Sequence, residues 1–399
     1  MKRIEIGNMF ECSGCGACVA VCPKNCLYMG KDELGFSVPE IDEAACIDCG
    51  RCLSVCPQQN KREFAPVDSP AYFFQSKNKE ELRKSSSGGG ISVIARRTLS
   101  KGGKVWGVTL NSEGIAEFTC IDSVVDLWRI QGSKYVEVKT PLNHALVKSQ
   151  LDSGCHVMVS GLPCQIKGLR NYLGKRDYPN LLLVDLLCYG IQSPRMWRLY
   201  LDGVNPEKKS IARIAMRDKR WSWYDYSMHI IYDDGTEYKK VRWYDDWLLS
   251  YSRTVFNRES CSCCESKKFP RVSDMTLGDF WDADFYGLGK TGINKNKGVS
   301  VVFTHTPKGI AVFEDIKDEI VWESLPADYA KKLQKGYGSS VKFNKNRSQF
   351  IQMAISESFA QARSTYLESG LMFRLRKISR IYKKKLKLLL YPVSKSSFR

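Results

Sequence analysis

The segment CSGCGACVAVCP, residues 12–23, decides the fold of the N-terminal part because it spaces four cysteines as C-x2-C-x2-C-x3-C before a proline. The segment CIDCGRCLSVCP, residues 46–57, repeats the same pattern 34 residues further on. The chain has 16 cysteines, and its start, MKRIEIGNMFECSG, lacks the apolar stretch of an export signal. In such a chain clustered cysteines are typical of metal binding in a reducing compartment rather than of disulfides. The sequence therefore predicts metal-bound thiolates and a cytoplasmic location.

The repeated spacing is that of two-cluster bacterial ferredoxins, in which the fourth cysteine of each motif binds the other cluster. We predict two [4Fe–4S] clusters, so the protein moves single electrons. The predicted ligands are Cys12, Cys15, Cys18 and Cys56 for the first cluster, and Cys46, Cys49, Cys52 and Cys22 for the second. A pair of structural zinc sites is the alternative, but zinc sites usually use separated C-x2-C pairs.

Composition places the remainder among ordinary globular proteins. The 399 residues are 43% hydrophobic and 26% charged, which suits two or three domains with sizeable cores. No stretch reaches the length of a membrane-spanning helix. The net charge of +18 indicates an anionic partner or a basic surface, and much of the excess lies after residue 370. Because no nucleic-acid-binding motif accompanies this charge, we expect no nucleic-acid partner.

The order of predicted elements indicates a multidomain chain of the α+β or α/β class. Strands are predicted at 71–76, 104–110, 156–162, 180–187 and 298–309, helices at 90–100 and 165–174, and a hairpin at 228–238. The predicted domains are a ferredoxin fold (1–60), a linker (61–70), an α/β domain with a mostly parallel sheet (71–205), an α+β domain (206–345) and a helical basic tail (346–399).

The segment SSSGGG, residues 85–90, stands directly before a predicted helix. Free N–H groups at a helix N-terminus can cradle a phosphate. A flexible serine–glycine loop is the alternative reading of these residues.

Several further segments occur together in an order that resembles the beta subunits of coenzyme F420 hydrogenases and dehydrogenases. The matching segments are SSSGGGISVIA (85–95), GSKYV (132–136), GLPCQIKGL (161–169), LLCYG (186–190), CSCCESKKFPRVSDMTLGDFW (261–281) and KGVSVVF (297–303). The resemblance covers roughly residues 8–310. It implies an oxidoreductase that binds FAD and iron–sulfur clusters and exchanges two electrons with a carrier or substrate at the flavin.

This resemblance also implies cofactor-binding residues. Ser86, Ser87, Gly88 and Gly89 would bind the pyrophosphate, and Lys134 and Tyr135 would contact flavin or substrate, although packing at a strand edge is the alternative for the last two. The chain departs from the family pattern at Tyr189, where a histidine is usual, at Asp282, where a glycine is usual, and at VEVKT after GSKYV. These departures indicate a substrate site that differs from that of the deazaflavin-using members. No catalytic residue is assigned.

A third [4Fe–4S] cluster is predicted near the flavin. Its ligands would be Cys164, Cys188, Cys261 and Cys264, all within the matching segments. Cys164 and Cys188 each follow a predicted strand, and the carboxyl ends of parallel strands are where open α/β sheets place ligands. Cys263 competes with Cys264 for the last position. Buried free thiols or a structural zinc site are the alternatives.

The predicted function is an iron–sulfur flavoprotein oxidoreductase. It would pass electrons between a two-electron organic substrate or hydride carrier at FAD and a ferredoxin-like one-electron partner or other oxidoreductase subunits. One alternative is an electron-transfer subunit without its own substrate site. Another is a non-enzymatic iron–sulfur protein that binds an anionic polymer.

The C-terminal tail has a pattern of its own. Apolar residues recur at helical spacing between basic residues, at Leu371, Leu375, Ile378, Tyr382, Leu386 and Leu389. This pattern is typical of an amphipathic helix lying on an anionic membrane, and a helix packed on the protein's own body is the alternative.

Overall fold

The computed structural model describes residues 11–60, 69–284 and 292–368. Most of the predicted linker and the amphipathic part of the tail lie outside these residues, so the predictions made for them stay predictions. No helix in the described ranges is long and apolar enough to cross a membrane.

The N-terminal module, residues 11–60, consists of two short helices and a hairpin. These elements are α1 (Ala17–Val21), β1 (Leu27–Lys31), β2 (Ser37–Ile41) and α2 (Arg51–Val55). Each helix begins after a glycine in the left-handed conformation, Gly16 with φ 76° and Gly50 with φ 68°. Such a φ suits glycine, which has no Cβ to oppose it. The two halves of the module therefore share one local design, as the repeated motif predicts.

One large sheet organises the body of the protein. Its eight strands are β3 (Ala71–Ser76), β4 (Lys104–Leu110), β5 (Ala116–Ile121), β6 (Val157–Gly161), β7 (Leu181–Leu186), β11 (Met275–Asp279), β12 (Ser300–Thr304) and β13 (Ile320–Ser324). They lie in the order β13-β3-β12-β11-β7-β6-β4-β5.

Pairing in this sheet is mixed. Strands β4, β6, β7 and β11 run parallel to one another, and the other four pairings are antiparallel. The mostly parallel sheet predicted for residues 71–205 holds for β4, β6 and β7, whereas β5 joins β4 antiparallel at one edge. The sheet as a whole is mixed, because β12 pairs antiparallel with β11 and β3, and β13 pairs antiparallel with β3.

A second sheet has three strands, β8 (Ile211–Asp218), β9 (Ser227–Tyr232) and β10 (Glu237–Val241), in the order β10-β9-β8. The predicted hairpin corresponds to β9 and β10, which join through Gly235 with φ 80°. The segment 206–345 thus supplies this small sheet and also three strands of the large one.

Thirteen helices are described in these ranges. Those not yet given are α3 (Lys79–Lys84), α4 (Gly90–Ser100), α5 (Leu127–Ile130), α6 (His144–Asp152), α7 (Pro163–Leu173), α8 (Pro194–Val204), α9 (Asp246–Ser252), α10 (Pro307–Asp315), α11 (Ala327–Gly338), α12 (Arg347–Ser356) and α13 (Phe359–Tyr366). The helix predicted at 90–100 is confirmed by α4, and the helix predicted at 165–174 by α7.

The large sheet is buried on both faces. Along β6, Val159 belongs to one apolar cluster and Met158 to another, because successive side chains of a strand point to opposite faces. Ile166 of α7 packs in the first cluster, whereas Val93 of α4 packs in the second. Helices α4 and α7 therefore cover opposite faces, which explains why the central strands read as continuous apolar runs.

The N-terminal module is fixed to the body by a buried ion pair. The Arg258 guanidinium lies 2.5 Å from the Glu137 carboxylate, and both side chains are 4% exposed. Arg258 also donates to the carbonyl oxygens of Cys12 at 2.6 Å and Ser37 at 2.7 Å, and the Ser37 amide donates to Glu137 at 2.6 Å. Two residues of the body thus bind both the first cysteine loop and strand β2.

We expect Glu137→Gln to destabilise the protein by about 3 kcal/mol, because removing one partner leaves the Arg258 charge buried without compensation. Anaerobic denaturant unfolding of the full chain measures this change. The exposed Glu113→Gln is the matched control and should unfold like the wild type. Equal unfolding midpoints for Glu137→Gln and the control would contradict the role assigned to the pair.

Candidate iron–sulfur and flavin site

The cysteines of the N-terminal module gather in the two predicted sets. Burial raises the pKa of the Cys18 thiol, and the neighbouring thiols of Cys15, Cys12 and Cys56 raise it further. These four residues form the first predicted set. Cys56 comes from the second motif, as the crossed assignment requires.

The second set also includes a cysteine from the other motif. Cys22, Cys46, Cys49 and Cys52 line one small cavity together with Cys26. Cys26 is buried, and its Sγ lies 3.4 Å from that of Cys22. It is an additional thiol at this site.

Three cysteine loops share one backbone arrangement. At Cys12, Cys46 and Cys188, the amide two residues further on donates to the cysteine Sγ, at 3.4, 3.5 and 3.3 Å. The donating residue is left-handed in each case, with φ 67° at Gly14, 52° at Asp48 and 98° at Gly190. An N–H bond to sulfur stabilises a thiolate ligand and tunes the cluster that it binds. Cys188 is therefore presented in the same way as the first cysteine of each ferredoxin motif.

The four cysteines predicted for a third cluster also lie close together. Burial raises the pKa of Cys164, and the thiols of Cys264, Cys188, Cys15 and Cys261 raise it further. Burial likewise raises the pKa of Cys261 to about 12, with Cys188 and Cys264 adding to the rise.

Separate elements bring these four thiols together. Cys164 lies in the first turn of α7, and Cys188 follows β7. Cys261 lies within a short 3-10 segment, Glu259–Cys263, and Cys264 comes directly after it. Cys263 is exposed, whereas Cys264 is partly buried and faces the other three. This arrangement supports Cys264 over Cys263 as the fourth ligand, and the assignment stays a prediction.

Within the ranges that the structure describes, no three or more His, Cys, Asp or Glu side chains form a group that could hold a single metal ion. The preference for clusters over zinc at the two ferredoxin motifs rests on the spacing of the cysteines in the sequence.

Three cations surround the third set. Arg258 precedes Cys261 by three residues, Lys267 donates to the carbonyl oxygen of Cys188 at 3.0 Å, and Arg271 lies 3.3 Å from the buried Asp185 carboxylate. Sequence reasoning missed these residues, although KKFPR begins three residues after Cys264. The sequence feature that could have identified them is the presence of basic residues close to the cysteines in the same segment.

A cavity of about 2330 Å³ opens beside this set. Of the six residues predicted to bind the cofactor, Ser86, Ser87, Gly89, Lys134 and Tyr135 line it. Its walls also include Cys188, Gly190 and Lys267. One cavity therefore joins the predicted flavin residues to the third set of thiols.

The loop before α4 is held against the sheet. The Gly88 amide donates to Ser300 Oγ at 2.9 Å, and Ser87 Oγ donates to the Val299 carbonyl at 2.7 Å. A Cβ at Gly88 would stand 2.4 Å from the Phe74 carbonyl oxygen, so only glycine fits there. The Gly88 amide and the Ser87 hydroxyl thus anchor the loop to the sheet. The first N–H groups of α4 follow this loop and have no acceptor within the helix.

Lys134 and Tyr135 are set into the cavity wall. The Lys134 ammonium donates to the carbonyl oxygens of Gln131 at 2.9 Å and Arg129 at 3.3 Å, and burial lowers its pKa to about 7. Tyr135 stacks on Tyr251 with ring centroids 4.1 Å apart, and burial raises its pKa to about 12. Carbonyl groups do not neutralise the charge of an ammonium group, so this lysine favours an anion beside it.

Two further basic residues were not predicted: Arg217 lines the cavity, and Lys219 contacts the loop before α4. Arg217 pairs with Asp279 at 2.6 Å, its side chain is 3% exposed, and its Nε and Nη2 have no hydrogen-bond partner in the described part of the chain. Lys219 donates to the carbonyl oxygens of Ser87 and Lys297, at 2.6 Å to Lys297. It therefore holds the loop before α4 in place. Nothing in the segment MRDKR distinguishes these residues from surface charges.

Comparison with known proteins agrees with this architecture. Residues 155–329 match the family model for the C-terminal part of the coenzyme F420 hydrogenase/dehydrogenase beta subunit, and residues 11–60 match a 4Fe-4S dicluster domain. The chain is 25% identical over 331 residues to the F subunit of the F(420)H(2) dehydrogenase of Methanosarcina mazei, covering 80% of this chain and 86% of that protein.

A solved structure is also similar. It is a chain of the F420-reducing [NiFe] hydrogenase complex from Methanosarcina barkeri, with 17% identity and a TM-score of 0.45, and the match covers 71% of this chain and 92% of that one.

We expect Cys264→Ser to lose about four of about 12 irons per chain, because each cube holds four. Cys263→Ser is the matched control and should keep all of them. Iron analysis of anaerobically purified protein measures both. Iron loss only in Cys263→Ser would show that Cys263, not Cys264, is the ligand. Full iron content in both variants and in Cys164→Ser would contradict the third cluster.

Proposed function

Because this chain is a beta-subunit-like member of the coenzyme F420 hydrogenase/dehydrogenase family, and thus an oxidoreductase-type subunit, we propose that it is an iron–sulfur flavoprotein. It exchanges electrons between a two-electron organic hydride carrier and a one-electron protein partner. One observation carries the proposal: a single cavity reaches from the loop before α4 to the predicted cluster ligand Cys188.

The size of the cavity favours a substrate site over a bare electron-transfer subunit. Pockets for a single organic ligand are usually about 300–1,000 Å³. The cavity of about 2330 Å³ is more than twice the upper end of that range and has room for a flavin nucleotide and a second organic molecule together. A subunit that only relayed electrons between clusters needs no such space.

The residues of the cavity fit a flavin dinucleotide. The N-terminus of the 11-residue helix α4 and the hydroxyl of Ser86 suit a pyrophosphate. Lys134 adds a cation that no carboxylate neutralises in the described residues, and the stacked Tyr135 and Tyr251 offer an aromatic wall. A bound flavin exchanges electrons one or two at a time, whereas each cluster takes one.

The three cysteine sets form a sequence that leads away from the cavity. Cys188 lines the cavity, Cys164 of the same set is next to Cys15 of the first set, and Gly168 of α7 packs directly against Cys15. The second set lies beyond, and its Cys49 is exposed. We place the docking site for the partner at that exposed end. Candidate partners are a ferredoxin-like protein and other oxidoreductase subunits, since one relative is named as a dehydrogenase subunit.

For the organic substrate we propose a hydride carrier of the deazaflavin or nicotinamide class. The relative from Methanosarcina mazei is named for F(420)H(2), which favours the first class. Tyr189, half-exposed in the cavity wall, stands where family members usually have a histidine, which favours a different contact to the carrier in this chain.

We expect full-length protein reconstituted anaerobically to bind one FAD, and Lys134→Met to bind it about tenfold more weakly at pH 6.5. A charge-assisted hydrogen bond is worth about 1.5–3 kcal/mol, and 1.4 kcal/mol is tenfold. The exposed Lys139→Met is the matched control. Flavin fluorescence quenching measures the affinity, and cluster bleaching by reduced coenzyme F420 or NADPH then tests turnover. Protein with full iron content and no affinity for flavin would overturn the proposal and favour the bare electron carrier.

We also expect the affinity for FAD to fall as the pH rises above about 7. Burial lowers the pKa of Lys134 from its usual value near 10.5 to about 7, so the free protein loses this positive charge between about pH 6 and 8. An anionic ligand binds the protonated form better, and its affinity is therefore highest below pH 7. Lys134→Met should show a flat profile over that range. Parallel profiles for the two proteins would contradict the pairing of Lys134 with the cofactor.

A further inference from the structure

Lys267 is a buried cation at the boundary between the third cysteine set and the cavity. Its side chain belongs to a residue that is 5% exposed, and it both lines the cavity and donates to the Cys188 carbonyl oxygen at 3.0 Å. The charged groups that act on it are the thiols of Cys188, Cys264 and Cys261 and the guanidinium of Arg271.

Lys267 differs from the other two cations of this region in having no counterion. Arg258 is neutralised by Glu137 and Arg271 by Asp185. In the described residues no carboxylate lies within ion-pair distance of Lys267, whereas its neighbour Lys268 is exposed and pairs with Glu265 at 2.7 Å. A buried charge without a partner is costly, so its presence calls for a compensating negative group.

A [4Fe–4S] cluster bound by four thiolates is such a group. It carries a net negative charge, which grows by one unit when the cluster gains an electron. Cluster potentials depend on net charge, hydrogen bonds to sulfur and exposure to solvent. A fixed cation in a low-dielectric surrounding stabilises the more negative, reduced state most strongly.

We propose that Lys267 raises the reduction potential of the third cluster and so holds electrons beside the cavity. This inference rests on the proposed function, because it assumes the third cluster. At the other end of the chain of clusters, Cys49 is exposed and next to Asp48, where water screens the neighbouring charges. The two cations at the second set, Lys24 and Arg51, are exposed as well, so the buried cation without a counterion is the one at the inner end.

The test is a redox titration of the full chain followed by electron paramagnetic resonance, with dithionite as the reductant. Cys164→Ser identifies the signal of the third cluster by its loss. We expect Lys267→Gln to lower the potential of that cluster by about 59 mV or more, which is a tenfold change in the one-electron equilibrium. Lys267→Arg should keep the wild-type potential, and Lys268→Gln is the matched control.

An unchanged third-cluster potential in Lys267→Gln would overturn the inference. Loss of about four irons in both Lys267→Gln and Lys267→Met, with all irons kept in Lys267→Arg, would also overturn it, since the residue would then act in holding the cluster. If wild-type protein itself contains only about eight irons, the proposed third cluster fails, which is distinct from a failure at Lys267.

Discussion

The ion pair between Arg258 and Glu137 is the constraint on which the placement of the N-terminal module against the body depends. Burying two charges is expensive, and the pair is tolerated because each guanidinium nitrogen and each carboxylate oxygen has a hydrogen-bond partner, with the Cys12 and Ser37 carbonyls and the Ser37 amide completing the set. An apolar contact could hold the N-terminal module against the body equally firmly. It could not fix its rotation, because apolar contacts are not directional, whereas a guanidinium fork binds its acceptors in one orientation.

That orientation decides which cysteines face each other. With the first cysteine loop bound to Arg258, helix α7 meets the module through Gly168 and Asn171, the latter donating to the Val55 carbonyl at 3.2 Å. The thiols of Cys15 and Cys164 then lie on the two sides of this contact. In the proposed function electrons pass between Cys15 and Cys164, so the ion pair and Gly168 both act on the separation of these two thiols.

The sequence predicted the dicluster module and most central strands, because each rests on local spacing or on an apolar run. It did not predict the mixed sheet. Whether the strand at 300–304 runs parallel or antiparallel to its neighbours depends on chain connections that periodicity does not record. At the candidate site the thiols could be found because cysteine is rare and chemically distinctive. Lys267, Arg217 and Lys219 could not, since a buried lysine or arginine looks like a surface one until its surroundings are known.

The sheet order has a consequence for synthesis of the chain. Among the described strands, β3 at 71–76 pairs with β12 and β13 alone, which begin at residues 300 and 320. A ribosome adding about 5–20 residues per second needs roughly 10–45 s to bridge that gap. During this interval the apolar strand AYFFQS has no partner in the sheet. Strand β7 likewise lacks its neighbour β11 until residues 275–279 have been synthesised. The cysteine motifs at 12–57 emerge well before either strand is paired, so iron–sulfur assembly has time to act on the nascent N-terminus before the body closes over Cys15.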